Sequence, residues 1–279
     1  MFLIVLALLP AIALAVWIYR QDKIEREPRK LLWKIFFLGV LSVIPTIILE
    51  LILGDVVGLF FEETSVAYIV LDNFICVAVV EEYWKMKAAK KASWKNPAFN
   101  YKFDAIVYCV TSALGFAAIE NVIYVMDGGM DTAITRMLLS VPSHAIDGVI
   151  MGYFFGMAKE ADLKGDKKRR KQCLRRSVLV SAIEHGIYDT SLSLDSDWLM
   201  LFFLLFVIVI DIWAYRFVKK QARQDRELVH REAEPVQMGT EFAQSGAGYV
   251  QQSTEFVQSG TGYVQQSAEP VQAGTEIVS

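Results

Sequence analysis

Cysteine and histidine are scarce in this chain, three of each among 279 residues. Cys76 and Cys109 fall inside apolar runs and Cys173 in a basic stretch, so a disulfide-stapled fold is not expected. Positive charge is missing from most of the length as well. Apart from Arg136, all 28 Lys and Arg residues lie in 20–34, 85–102, 159–176 and 216–231. The segments 54–65, 127–132 and 191–197 carry acids such as Asp55, Glu62, Glu63, Asp127 and Asp131 and no base. Because the basic charge is parcelled into alternate connecting segments and the net charge is only −3, it does not read as a nucleic-acid surface.

Between these segments the chain is apolar. Hydrophobic residues make up 54% of it, in unbroken runs near the roughly 20 residues needed to cross a bilayer. About seven transmembrane helices are predicted, over 2–19, 31–53, 66–84, 103–126, 133–158, 177–194 and 198–218, the sixth being short. Lys and Arg collect in cytoplasmic loops, so the alternation places the N-terminus outside and the C-terminus inside. The first run has no basic residue ahead of it and Arg20 behind it, and reads as a retained helix rather than a cleaved signal peptide. The expected fold is all-α, a polytopic membrane helix bundle over 1–220 with a cytoplasmic tail over 221–279. In that tail TEFAQSGAGYVQQS at 240–253 returns as TEFVQSGTGYVQQS at 254–267, a repeat of about 14 residues. Too polar and glycine-rich to bury a core, it is expected to be a disordered tether without a catalytic role.

Ionisable side chains within membrane helices cost several kcal/mol each, so they should face the bundle interior. Glu50, Asp104 and Asp211 read singly as end residues or interhelical hydrogen-bond partners. Four clusters on successive helices stand apart from them. In the third helix Glu81 and Glu82 point about 100° apart, and Lys85, four residues after Glu81, makes with it the favourable helical ion pair. Glu82 is then the freer carboxylate. Glu120 and Asn121 interrupt the fourth helix. His144 and Asp147 lie in the fifth, followed by Gly148, Gly152 and Gly156, a flat strip that admits a close neighbour helix. In the sixth, Glu184-His185 is followed by Asp189, one turn from the imidazole and able to fix its tautomer. Counting about 1.5 Å per residue puts Glu81 and Glu82 toward the cytoplasmic face, Glu120 toward the outside, and both histidines between.

Carboxylates and imidazoles gathered among helices can hydrolyse a peptide bond, a Glu activating water and a His stabilising the oxyanion. They can also bind zinc through His144, His185 and one carboxylate, Glu82 among the candidates. A proton relay in a transporter or sensor uses the same inventory. The residue types alone leave all three open.

The order of the motifs adds a distinction. EExxK at 81–85, FxxxEN at 116–121, His144 with its downstream glycines, and HxxxD at 185–189 resemble the PrsW family of membrane proteases, over roughly 31–218. That family is similar in turn to CAAX-prenyl endopeptidases and bacteriocin-processing peptidases. This chain has Glu120 where the wider group has a His. The resemblance implies site-1-type cleavage of a membrane-anchored protein, such as an anti-sigma factor, in a bacterial or archaeal cytoplasmic membrane. It implies Glu81, Glu82, His144 and His185 as catalytic residues, Glu82 being the preferred base. Lys85, Glu120, Asn121 and Asp189 would support them, with no cofactor required and zinc as the alternative.

Overall fold

The computed structural model describes residues 2–228, so the repeats lie outside the described residues. Helices form over each of the seven apolar segments: α1 Phe2–Gln21, α2 Arg29–Gly58, α3 Val66–Leu71, α4 Val79–Ser93, α5 Asp104–Leu138, α6 Ser140–Leu163, α7 Lys167–Ser193 and α8 Asp197–Arg223. A π-helical segment, Asp72–Ala78, joins α3 to α4 without a break in helical direction. Ser65 caps α3 by accepting from the Tyr68 N–H, and Asp166 caps α7 by accepting from that of Arg169.

Four helical stretches are long and apolar enough to cross a membrane: Phe2–Gln21, Arg29–Gly58, Asp104–Leu163 and Asp197–Arg223. The third, at 60 residues, would reach about 90 Å if straight, three times the roughly 30 Å hydrocarbon layer. It is instead broken. Gly129 takes φ 73° and ψ −149°, a conformation open to glycine, and α6 folds back along α5. The antiparallel course is fixed by the glycine strip. A Cβ at Gly148 would stand 2.6 Å from Val110 Cα, one at Gly152 2.5 Å from Ile106 Cα, and one at Gly156 3.1 Å from the Lys102 carbonyl. The two backbones therefore touch, as the three glycines in the sequence suggest.

Helix α5 is the axis of the bundle, buried almost without interruption from Asp104 to Ala118. Against its other side α2 makes a second close crossing, where Gly39 meets the Ser112 carbonyl and Gly115 meets that of Phe36. Helix α1 is tied to it by Asn121, whose amide donates to the Ala7 carbonyl at 2.7 Å. By contrast α8 and the outer face of α2 expose Trp198, Leu205, Val209, Ile44 and Leu51. An apolar outer face around a polar-containing core suits a lipid surround. Helix α4, at 15 residues, and α7, which opens on a basic run, are not among the four long apolar stretches, yet both bury their acids, Glu81 and Glu82 on α4 and Glu184 on α7.

Candidate active site

The π-helical segment ends just before Glu81 and Glu82, which sit in the first turn of α4 with Lys85 one turn on. All three are buried, Glu82 and Lys85 completely. The expectation that Lys85 engages Glu81 alone is corrected here. Its ammonium donates to Glu81 Oε2 at 2.8 Å and to Glu82 Oε1 at 2.7 Å, because one long side chain at i+3 and i+4 reaches both carboxylates across their 100° separation. It also lies 3.0 Å from His144 Nδ1 and 4.5 Å from the centre of the Phe116 ring. Glu82 is thus not freed by an exclusive Glu81–Lys85 pair.

Helix α6 brings His144 to this ammonium, and α5 brings Glu120 to the far side of the same ring. His144 Nε2 is 2.8 Å from Glu120 Oε2, which fixes the proton on Nε2 since a carboxylate can only accept. Arg136, the single base outside the basic segments, holds the other Glu120 oxygen at 3.0 Å and donates through Nε to Asn121 Oδ1 at 2.9 Å. The height difference counted along the helices is bridged by side chains, because Lys85, His144 and Glu120 form one continuous row.

Helix α7 comes against the π-helical segment at Gly186, where a Cβ would meet the Phe74 ring at 2.4 Å. That approach carries the neighbouring His185 to Glu82, with Nδ1 3.1 Å from Oε1, while Nε2 lies 3.0 Å from Asp189 Oδ2. The two imidazoles stand edge to face, with centroids 5.5 Å apart. Beneath them lie Asp147, 3.6 Å from His185 Nδ1, and Glu184, whose carboxyl faces that of Asp147. Both oxygens of each, with Glu82 Oε2, have no hydrogen-bond partner.

A cavity of about 500 Å³ opens onto this constellation, and Glu81, Glu120, His144, His185 and Asp189 form its polar wall together with Glu50 and Arg136. Glu82 is not on that wall. Of the predicted residues, the structure brings Glu81, Glu82, Lys85, Glu120, His144, His185 and Asp189 into one cluster, while Asn121 touches it only through Arg136. The sequence assigned no role to Arg136, Asp147 or Glu184, and Glu50 read as an end residue or an interhelical hydrogen-bond partner. The signals were present for two of them: Arg136 is an isolated base, and Asp147 follows His144 by three residues on the same helical face.

An all-helical membrane protein with a polar cavity walled by paired acids and imidazoles is the class these features define. Residues 27–214 match the family described as PrsW family intramembrane metalloprotease. The Protease PrsW of Geobacillus kaustophilus is 35% identical over 189 residues, 68% of this chain and 79% of that protein. That of Bacillus subtilis is 34% identical over 215 residues, 74% of this chain and 91% of that protein. That of Halalkalibacterium halodurans is 32% identical over 224 residues, 80% of this chain and 99% of that protein. No solved structure matches the chain. The chain belongs to the PrsW family of intramembrane proteases. Its activity is accordingly that of a peptidase, and the transporter or sensor alternative is set aside.

The family description implies a metal ion, and the donor set fits one. Glu81, His144 and His185 offer donor atoms all within 4.8 Å of one another, and so do Glu82, Asp147 and His185. Both Nε2 atoms are held by carboxylates, from Glu120 and Asp189, leaving the His185 Nδ1 turned toward Glu82 and the His144 Nδ1 toward the Lys85 ammonium. This is how protein zinc sites orient their histidines. Glu82 falls in a group with Asp147 and His185, not with His144 as the sequence suggested. Lys85 shares the space and would have to swing aside.

Proposed function

We propose that this protein is a multi-pass endopeptidase of a bacterial cytoplasmic membrane that hydrolyses a peptide bond in a membrane-anchored protein, with Glu81 as the base that activates water. Seven spans with the N-terminus outside and the C-terminus inside accommodate the sorted positive charge. The observation that carries the reading is the convergence of Glu81, His144 and His185 on the wall of one cavity inside the bundle.

Hydrolysis needs a base near the attacking water and donors near the carbonyl oxygen. Glu81 faces the cavity and is held by the Lys85 ammonium, which keeps a buried carboxylate in register. Glu82, sealed behind it, is the weaker choice of base and instead steadies Lys85 and His185. His144 lines the cavity with its Nδ1 accepting from Lys85, and His185 is the group placed to donate to the developing oxyanion, through Nδ1–H once released from Glu82. Glu120 with Arg136 orients the first of them, and Asp189 orients the second. In the metal-bound alternative Glu81 would be a ligand rather than the base, and a zinc ion held by His144, His185 and Glu81 would supply Lewis-acid polarisation and a more acidic water. An anti-sigma factor is the substrate class that the family resemblance suggests.

The test is cleavage of a single-span model substrate by purified protein in detergent, comparing wild type with Glu81→Gln, Glu82→Gln and His185→Ala, each with and without a zinc chelator. Cleavage lost in folded Glu81→Gln and His185→Ala supports the assignment, and chelator sensitivity separates metal from glutamate–water chemistry. Wild-type rates in both variants would sink it.

A further inference from the structure

A second group of buried acids lies at the opposite end of α5. Asp104 opens that helix, some 24 Å along the axis from Glu120 at about 1.5 Å per residue. Asp22 and Glu27 reach it from the α1–α2 connection. The three carboxylates are 1–3% exposed, and each offers an oxygen within 4.8 Å of the other two. Asp225 stands near them on the segment after α8. This segment folds back over the same place, with the Lys102 N–H donating to the Arg226 carbonyl and the Leu228 N–H to that of Asn100.

These acids occupy the side of the protein richest in Lys and Arg, and among the described residues none of Asp22, Glu27, Asp104 and Asp225 forms an ion pair. Their partners are neutral donors. Asp104 Oδ2 accepts from the Asn100 and Tyr101 N–H groups at 3.0 and 2.7 Å. Glu27 Oε2 accepts from the Tyr108 hydroxyl, and Asp225 Oδ1 from the Phe103 and Arg226 N–H groups. Asp104 Oδ1 and Asp22 Oδ2 are buried without any partner. A buried carboxylate oxygen with nothing to accept from costs free energy of the order of 1–3 kcal/mol or more. The surplus acceptor capacity is thus concentrated where three acids meet.

We propose that Asp22, Glu27 and Asp104 form a binding site for a hard divalent cation, Ca²⁺ or Mg²⁺, that clamps the α1–α2 connection to the start of α5. The donors are all oxygens, the preference of Ca²⁺ and Mg²⁺ rather than of zinc or copper. Their spacing suits it, since ligands on opposite sides of a Ca²⁺ ion with bonds of 2.3–2.6 Å lie about 4.6–5.2 Å apart. Burial, with Asp225 adding to it, pushes the Asp22 carboxyl up to about 6. Burial pushes Glu27 up to about 7 against the Tyr108 hydrogen bond. A cation supplies the counter-charge that burial denies these carboxylates. The site is independent of the peptidase chemistry.

Terbium luminescence tests the proposal, because Tyr108, hydrogen-bonded to Glu27, stands where it can sensitise a bound Tb³⁺. Full-length protein in detergent, stripped with chelator and titrated with TbCl₃ at neutral pH, should give saturable emission that Ca²⁺ or Mg²⁺ displaces, and either cation should raise Tm by a few degrees. Both responses should vanish in Asp22→Asn and Asp104→Asn, and persist in the Glu81→Gln/His185→Ala double variant, which empties the other donor set. The Asn variants remove repulsion without changing shape, so they should be at least as stable as stripped wild type. Absence of saturable emission and of a Tm shift in wild type would overturn the proposal. So would responses that survive both Asn substitutions, or that disappear only in the Glu81→Gln/His185→Ala variant. Displacement by Ca²⁺ at far lower concentration than by Mg²⁺ would assign the site to calcium, and the reverse to magnesium.

Discussion

The acids around Glu120 and the acids around Asp104 sit at the two ends of one helix and meet opposite surroundings. At the Glu120 end, Glu81 and Glu82 share the Lys85 ammonium, Glu120 lies between Arg136 and His144, and Asp189 faces His185. At the Asp104 end the donors are backbone N–H groups and the Tyr108 hydroxyl, with no cationic side chain in the set. A buried carboxylate needs a counter-charge, a proton or a hydrogen-bond donor to be tolerated. Side-chain counter-charges are fixed in place and suit a site whose atoms must stay in register. Neutral donors leave the charge open to whatever cation the medium offers.

Several substitutions would break or sharpen this contrast. The largest effect is expected from Lys85→Met, which leaves two adjacent buried carboxylates without their ammonium. It should cost about 3–5 kcal/mol of stability and abolish cleavage, read by thermal unfolding in detergent together with a substrate assay. Glu81→Gln should lower the cleavage rate by about 100-fold or more with helix content unchanged by circular dichroism. Gly152→Leu, which drives a side chain into the Ile106 backbone, should cost about 1–3 kcal/mol and disturb both ends of α5 at once, lowering Tm and cleavage together.

Arg136→Gln is expected to slow cleavage about tenfold, the effect of losing roughly 1.4 kcal/mol of hydrogen bonding to a charged group, while leaving any response to Ca²⁺ intact. The smallest effect concerns pH. Asp22 and Glu27 titrate at about 6 and about 7 in the folded protein, above their ordinary 3.8 and 4.5. The folded state therefore binds more protons than the unfolded one between those values, and stability in cation-free buffer should fall as pH rises from about 4 toward 7. Tm measured across that range should decline for wild type and flatten in Asp22→Asn.

Much of the site was legible in the sequence because its residues are costly where they stand. Glu81, Glu82, Glu120, His144 and His185 interrupt apolar runs, and such interruptions have few explanations other than an interior site. Asp104 interrupts its run at the very end, where a solvated helix terminus is an adequate reading, so its burial could not be seen. Arg136 was visible as an anomaly in the charge pattern, but its partner depends on how α5 bends after Gly129.

By itself the sequence determined the all-helical character, the inward-facing clusters, a close helix contact at Gly148, Gly152 and Gly156 without its partner, and the family. These follow from patterns local to one helix, since hydrophobic length, side-chain spacing and glycine placement need no knowledge of neighbours. Only the tertiary structure decided that Glu81 rather than Glu82 faces the cavity, that Lys85 serves both, that Glu120 reaches His144, and that Asp22, Glu27 and Asp104 converge. Those outcomes depend on the relative height and rotation of separate helices. That geometry is set where α2 and α6 press on α5 and where Gly129 turns the chain, and contacts between helices leave no periodic trace along any one of them.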